Sequence, residues 1–319
     1  MSEHVIEVTH LTRRFGNFLA VNDVNFHVEK GEIFGYLGAN GAGKSTSIRM
    51  LCGLLLPTSG DAIVAGHSIH SPDLVKSSIG YMSQKFSLYM DLTVEHNLAF
   101  FGGAYGMSGK ALAHRIDEIL ELIHLKDRRR DLTGTLSGGF RQRLALGSSL
   151  LHRPKIVFLD EPTAGVDPAS RRDFWRLIRS LAREGTTVFV TTHYMDEAEY
   201  CARVGLMVAG KLVALDTPKG LKEQFVPGTL YAVSGVLPRS SALDGMRAAP
   251  GVLAVETFGA GLHVRVETGR VDARAVAAMV EQAGGRELQI KTIEANLEDV
   301  FLKVVAPTAS PPGTQQKAG

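Results

Sequence analysis

The stretch Gly38-Ala39-Asn40-Gly41-Ala42-Gly43-Lys44-Ser45, followed by Thr46, limits this 319-residue chain more than any other. It has the spacing G-x-x-x-x-G-K-[ST]. The glycines let the backbone curl so that several N–H groups point at phosphate oxygens. Lys44 brings a positive charge to the β and γ phosphates, and the Ser45 hydroxyl is placed to ligate Mg²⁺. The helix that follows presents its positive end to the anion. An apolar run, Ile33 to Leu37, precedes the loop. Ile48, Leu51, Leu54 and Leu55 follow it at helical spacing. Strand, glycine loop and helix make the first half of a βαβ unit, and a chance glycine-rich turn with a surface lysine would lack both flanks. The fold class expected is therefore α/β.

A second motif is Ile156-Val157-Phe158-Leu159-Asp160-Glu161. Four apolar residues form a buried strand whose C-terminal end carries two carboxylates, where open α/β sheets bind ligands. Asp160 is expected to hold the Mg²⁺ shell. Glu161 is expected to be the general base, since hydrolysis needs an acceptor for the proton of the attacking water. Between the two motifs lies Leu136-Ser137-Gly138-Gly139-Phe140-Arg141-Gln142-Arg143. A Ser-Gly-Gly turn opening a helix is a second anion-binding helix start, and a plain phosphate-loop enzyme does not need two. The preceding Arg128 to Arg130 read as a solvated basic turn.

Residues from the N-terminus to about Arg14, and Val24, Phe26 and Val28, alternate as strands do, with Lys30-Gly31 marking a turn. Residues of about 90–150 read as mostly helical: an apolar stretch from Val94 to Phe101, then Ser108 as a cap before the face Leu112, Ile116, Ile119, Leu120 and Ile123. A helix around Phe174 to Leu181 leads to a further strand, Thr186 to Thr192. Composition shifts at Pro227-Gly228. Beyond it the order is strand (Tyr231 to Val236), helix (Leu243 to Ala248), hairpin (Leu253 to Val266), helix (Ala273 to Gln282), strand (Leu288 to Ile293) and helix (Leu297 to Val304). That βαββαβ order is ferredoxin-like. The domains expected are thus 1–227, a small α+β domain over 228–305, and a disordered tail, 306–319, rich in Pro, Ser, Thr and Gln.

Lys and Arg total 35 against 33 Asp and Glu, a net charge of +2. Such balance argues against a sequence-independent nucleic-acid binder. The two cysteines, Cys52 and Cys201, cannot make a disulfide framework and read as buried thiols in a reducing compartment. Apolar runs such as Ile156 to Leu159 fall far short of the roughly 18–20 residues of a membrane span. Met1 to Glu7 has acidic residues and no apolar signal core. A cytoplasmic protein is expected.

These motifs, in this order, resemble the ATP-binding subunits of ATP-binding-cassette (ABC) transporters over about residues 4–220. The resemblance implies a P-loop NTPase core of ABC type with a helical subdomain, binding ATP and Mg²⁺ and acting as an ATPase. Ser137, Gly138 and Gly139 match the family's signature motif, which implies contact with the γ-phosphate held by a second cassette, most simply another copy of this chain. Phe140 stands where that motif usually has glutamine. Phe15 matches the aromatic that stacks on adenine. Gln84, in Gly80-Tyr81-Met82-Ser83-Gln84, matches the glutamine that senses Mg²⁺ and links the nucleotide to the membrane partner. Asp167, in Gly165-Val166-Asp167-Pro168, matches a loop crossing the dimer interface, and His193 the switch histidine on the γ-phosphate.

A finer resemblance is to ABC-2 type exporters of drugs, polysaccharides or lipids. It rests on His193-Tyr194-Met195-Asp196-Glu197-Ala198-Glu199, the extension after residue 228, and Asn296-Leu297-Glu298-Asp299-Val300-Phe301-Leu302. It implies a separately encoded integral membrane permease, with this chain attached to the cytoplasmic face of the membrane through it, and no nucleic-acid partner. The alternative is a soluble ABC ATPase of translation or DNA maintenance. Such proteins carry two cassettes or a long coiled-coil insertion, and this chain shows one cassette and no sustained heptads. A non-hydrolysing regulatory module is a third reading, and Lys44, Glu161 and His193 all count against it.

Overall fold

A computed structural model describes residues 4–84 and 87–305. The tail 306–319, expected to be disordered, and the start of the N-terminal segment lie outside the described residues. The chain divides into two compact units, Met1–Pro218 and Lys219–Gly319.

In the first unit β1 (His4–Phe15) and β2 (Phe18–Glu29) form a hairpin, followed by β3 (Ile33–Gly38), α1 (Lys44–Leu51), β4 (Ser59–Val64), β5 (His67–Ser68), α2 (Pro72–Ser78) and β6 (Ile79–Met82). Three helices come next, α3 (Val94–Ala104), α4 (Gly109–Leu122) and α5 (Gly138–Ser149). The unit closes with β7 (Ile156–Asp160), α6 (Pro168–Arg183), β8 (Thr187–Thr192), α7 (Met195–Ala198), β9 (Arg203–Val208) and β10 (Lys211–Asp216). β3, β7 and β8 are buried at every residue, the signature of strands covered on both faces. They lie in a six-stranded sheet, β10-β9-β3-β8-β7-β6, which is parallel except for β10. A second, antiparallel sheet runs β2-β1-β4-β5. The main core lies between the sheets, where Phe26 stacks on Phe34 and Phe34 on Phe189, each at 5.3 Å, around Ile48, Met50 and Leu51 of α1.

Two local expectations are corrected. α1 stops at Leu51 instead of running to Leu55, because Gly53 takes a left-handed φ of +66° against Pro72 and turns the chain. Leu54 is consequently exposed. Ser108 does hold the cap position of α4, but its side chain makes no capping bond. The capping hydroxyl in this region is Thr93, which accepts from His96 N at 3.2 Å at the start of α3. On the apolar face expected of α4, Ile116, Ile119, Leu120 and Ile123 are buried and Leu112 is half-buried.

The second unit contains most of α8 (Pro218–Phe225), then β11 (Thr229–Val236), α9 (Asp244–Arg247), β12 (Val252–Phe258), β13 (Gly261–Val266), α10 (Ala273–Gln282), β14 (Arg286–Ile293) and α11 (Leu297–Val305). Its antiparallel sheet has the order β12-β13-β11-β14. One sheet face packs Tyr231, Val233, Val255 and Val264 against Met246, Val276 and Val280 of α9 and α10. The two units divide after Pro218, and Arg265 of β13 donates to the Phe225 carbonyl at 3.2 Å, tying the end of α8 to this sheet. No helix among the described residues is long and apolar enough to cross a membrane. Both cysteines are free and buried, and burial pushes both thiols up.

Candidate active site

The glycine loop leaves β3 and turns sharply into α1. Gly41 and Gly43 take φ of +82° and +104°, which only glycine adopts without strain. A Cβ on Gly43 would stand 2.4 Å from the Ala20 carbonyl, so this position cannot carry a side chain. Gly210 N donates to Ala42 O at 3.0 Å and fixes the loop from the β9–β10 turn. Lys44, the first residue of α1, folds its ammonium back onto the loop, donating to Gly38 O at 2.8 Å and Ala39 O at 3.2 Å.

The end of β7 stands beside it. Asp160 Oδ1 accepts from Ser45 Oγ at 3.0 Å and from Thr191 Oγ1 at 2.7 Å. Thr191 is the register partner of Asp160 on the neighbouring strand β8. Glu161, one residue on, has a left-handed φ of 48°. Its backbone N–H donates to Thr191 Oγ1 at 2.9 Å and Thr191 O at 3.2 Å, which holds that conformation. The Glu161 carboxylate then gathers three side chains. Lys44 Nζ is 3.1 Å from Oε1, Gln84 Nε2 donates to Oε2 at 3.1 Å, and His193 Nδ1 lies 3.2 Å from Oε2 without hydrogen-bond alignment. Residues from β3–α1, β6, β7 and β8 thus meet at the C-terminal edge of the parallel sheet.

A cleft of about 330 Å³ opens over this cluster, bordered by Asn40, Gly41, Gly43, Lys44, Ser45, Thr46, Gln84 and Glu161, with Phe18 and Ala20 at its lip. The donors fit a magnesium–triphosphate. Ser45 and Asp160 offer adjacent hard oxygens, Lys44 a buried cation, and His193 a buried Nδ1 without an aligned partner. The β2 residues Phe18 and Ala20 escaped the sequence reading, as did Thr191; a hairpin lip and a cross-strand register leave no local motif.

Phe15 is not on the cleft wall. It pairs with Phe18 across the hairpin, is 44% exposed, and carries the Arg13 guanidinium 4.6 Å from its ring centroid. Ser137, Gly138 and Gly139 also lie outside this cleft. Ser137 is exposed with no side-chain capping bond, and Gly139 packs so closely on Ser170 that a Cβ would stand 2.7 Å from its hydroxyl. Phe140 lies under the guanidiniums of Arg128 and Arg143. In the basic turn Arg129 is partly exposed and pairs with Glu95 at 2.6 Å and Asp117 at 3.0 Å. Asp167 caps α6, accepting from Ser170 N at 2.9 Å and Ala169 N at 3.1 Å, and the Ser170 N–H foremost holds its carboxyl below the usual range.

A family model described as ABC transporter matches residues 21–164. The probable multidrug ABC transporter ATP-binding protein YbhF of Escherichia coli is 55% identical over 223 residues, covering 70% of this chain and 39% of that protein, so this chain spans well under half of that relative. Nod factor export ATP-binding protein I of a Rhizobium species (strain N33) is 35% identical over 306 residues, covering 95% of this chain and 98% of that one. A solved dimeric ATP-binding cassette in a post-hydrolysis state, bound to ADP and Pi, superposes with a TM-score of 0.61 at 25% identity, over 66% of this chain and 98% of that one. A full-length relative at this identity, matched on top of the phosphate loop and the Asp160-Glu161 strand end, places the chain in a family: it belongs to the ATP-binding proteins of ABC transporters.

Proposed function

We propose that this chain hydrolyses ATP and couples that hydrolysis to export through a separate membrane permease. One observation carries the catalytic part: Lys44, Gln84 and His193 converge on Glu161 beside the Ser45–Asp160 pair. Lys44 and the loop N–H groups bind the β and γ phosphates. Ser45, Asp160 and Gln84 are the residues to hold Mg²⁺, which when bound supplies positive charge to phosphate oxygens. Glu161 accepts the proton of the attacking water, and His193 bonds the γ-phosphate. Adenine stacks on the ring face of Phe15 that Arg13 leaves uncovered.

The second anion-binding helix start, at Ser137, contributes nothing to this chain's own cleft lining. That supports a pair of cassettes in which Ser137, Gly138 and Gly139 of each copy close over the ATP of the other, with Asp167 at the seam. Relatives named for multidrug transport and Nod factor export favour an exporter over a soluble ATPase of ribosomes or DNA, and the net charge of +2 gives no reason to expect a nucleic-acid partner. In the exporter, the chain sits on the cytoplasmic face of the membrane, held by the permease. Phosphate release from Mg-ATP by the purified chain tests the catalytic reading. Turnover that disappears on chelating the metal and in Lys44→Ala supports it; a native chain no faster than Lys44→Ala overturns it.

A further inference from the structure

Glu197 is wholly buried, and the reaction above gives it no task. Its Oε1 accepts from Thr163 Oγ1 and lies 3.5 Å from Arg171 Nε, while its Oε2 accepts from Thr192 Oγ1 at 2.7 Å. Thr163 stands two residues after Glu161, and Thr192 immediately precedes His193. Arg171 lies one turn into α6, where its backbone N–H donates to Asp167 O at 2.9 Å. The Thr192 hydroxyl also accepts from Tyr194 N at 3.0 Å, and the Arg171 guanidinium sits 3.8 Å from the Tyr194 ring centroid. A carboxylate out of water persists only where donors compensate it. Here two hydroxyls and a guanidinium do so, and they come from the segments that carry Glu161, His193 and Asp167.

We propose that Glu197 is a positioning residue, a staple that fixes Glu161 and His193 relative to each other; the proposal rests on the hydrolytic reading above. The paired register of β7 and β8 ends at Asp160 and Thr191, and the Glu161 N–H still bonds across, to Thr191. Glu161 and His193 lie beyond it, and Glu161 is in a left-handed conformation that persists only when its surroundings over-determine it. The Glu161 N–H bonds to Thr191 hold its backbone; Glu197 adds a second tie, from Thr163 after Glu161 to Thr192 before His193. Cutting either arm leaves the phosphate loop intact, so the loss belongs in turnover and not in nucleotide affinity.

The experiment is steady-state ATPase kinetics and ATP affinity for Thr163→Val, Thr192→Val, the double valine variant, Glu197→Ala and Glu197→Gln. Each valine variant is expected to lose about 10-fold in kcat with KM and Kd within about twofold of native, as misplaced catalytic groups do. The double variant is expected to be no slower than Glu197→Ala, because all three changes cut one staple. Glu197→Gln keeps the side chain's size and one acceptor oxygen, with its amide donating to the second threonine hydroxyl, and is expected to recover most of the kcat. If Glu197→Ala does not fold, the near-isosteric valine variants decide. Folded variants with native kcat, or losses that fall on KM instead, overturn the proposal. The Glu161→Gln variant and the native chain separate the two readings. Native turnover that only Glu161→Gln abolishes sinks the staple alone, whereas a native chain without turnover sinks both.

Discussion

Lys44 Nζ and Glu161 Oε1 lie 3.1 Å apart, and both side chains are more than nine-tenths buried. The cation proposed to meet phosphate and the carboxylate proposed to take the proton therefore compensate each other within the folded chain. Breaking a buried pair by removing one partner costs more than replacing both, because the remaining charge is left uncompensated. Lys44→Ala is expected to weaken ATP binding at least about tenfold and to lower stability by about 3 kcal/mol. Lys44→Ala/Glu161→Gln should regain part of that stability while still binding ATP weakly. Chemical denaturation of the two variants beside the native chain reads the difference; a double variant less stable than the single one contradicts the pairing.

Phe15 is expected to carry the adenine. Phe15→Ala should raise the Kd for ATP about 5-fold, in keeping with about 1 kcal/mol of stacking, and leave the affinity for inorganic triphosphate unchanged. Phe18, at the cleft lip, should matter less. Fluorescence titration of both alanine variants decides the point, and a larger loss in Phe18→Ala would move the stacking role to Phe18.

His152 follows α5, half-buried, with its ring stacked 3.7 Å from that of Tyr105 and Nε2 2.9 Å from the Ile79 carbonyl. Burial foremost, with the nearby Arg115 charge, pulls its pKa below 6.5, against the raising effect of the Ile79 carbonyl. The unfolded chain therefore takes up the proton first as pH falls. This contribution to stability is complete above about pH 6.5 and is lost as pH drops through the folded value. The melting temperature should fall more steeply between pH 7 and 5 for the native chain than for His152→Gln, closing a gap of a few degrees. Parallel melting curves for the two would contradict it.

How much of this was legible in the sequence depended on how local the determinants are. The glycine loop, the Asp160-Glu161 strand end and the Ser-Gly-Gly turn are each written in consecutive residues. The strands over 59–82 and 203–216 were not read. β6 is only four residues long, and its Gly80 is required by the Ser149 carbonyl, 2.4 Å from where a Cβ would stand, a contact no local pattern records. Thr191 and Glu197 escaped for the same reason. One reaches the site through the register of β7 and β8, the other through Thr192 nearby and through Thr163 and Arg171 from distant segments. Leu54 and Leu55 continued a helical period that Gly53 had already ended.

Sharing of ATP between two chains predicts a ranking of mixed dimers purified with two tags. A Lys44→Ala chain paired with a Ser137→Arg chain keeps one intact composite site. A Lys44→Ala/Ser137→Arg chain paired with a native chain keeps none. ATPase activity should be higher in the first pair; the reverse order would show that each chain completes its own site.

The most direct test of the central claim is single-turnover ATP hydrolysis by Glu161→Gln. The carboxamide keeps the size of the side chain at the meeting point of Lys44, Gln84 and His193 but cannot take the water proton. The variant is predicted to bind ATP at least as tightly as the native chain, to accumulate as an ATP-bound dimer, and to turn over at least about 100-fold more slowly. Hydrolysis at near the native rate would contradict the assignment of Glu161 as the base.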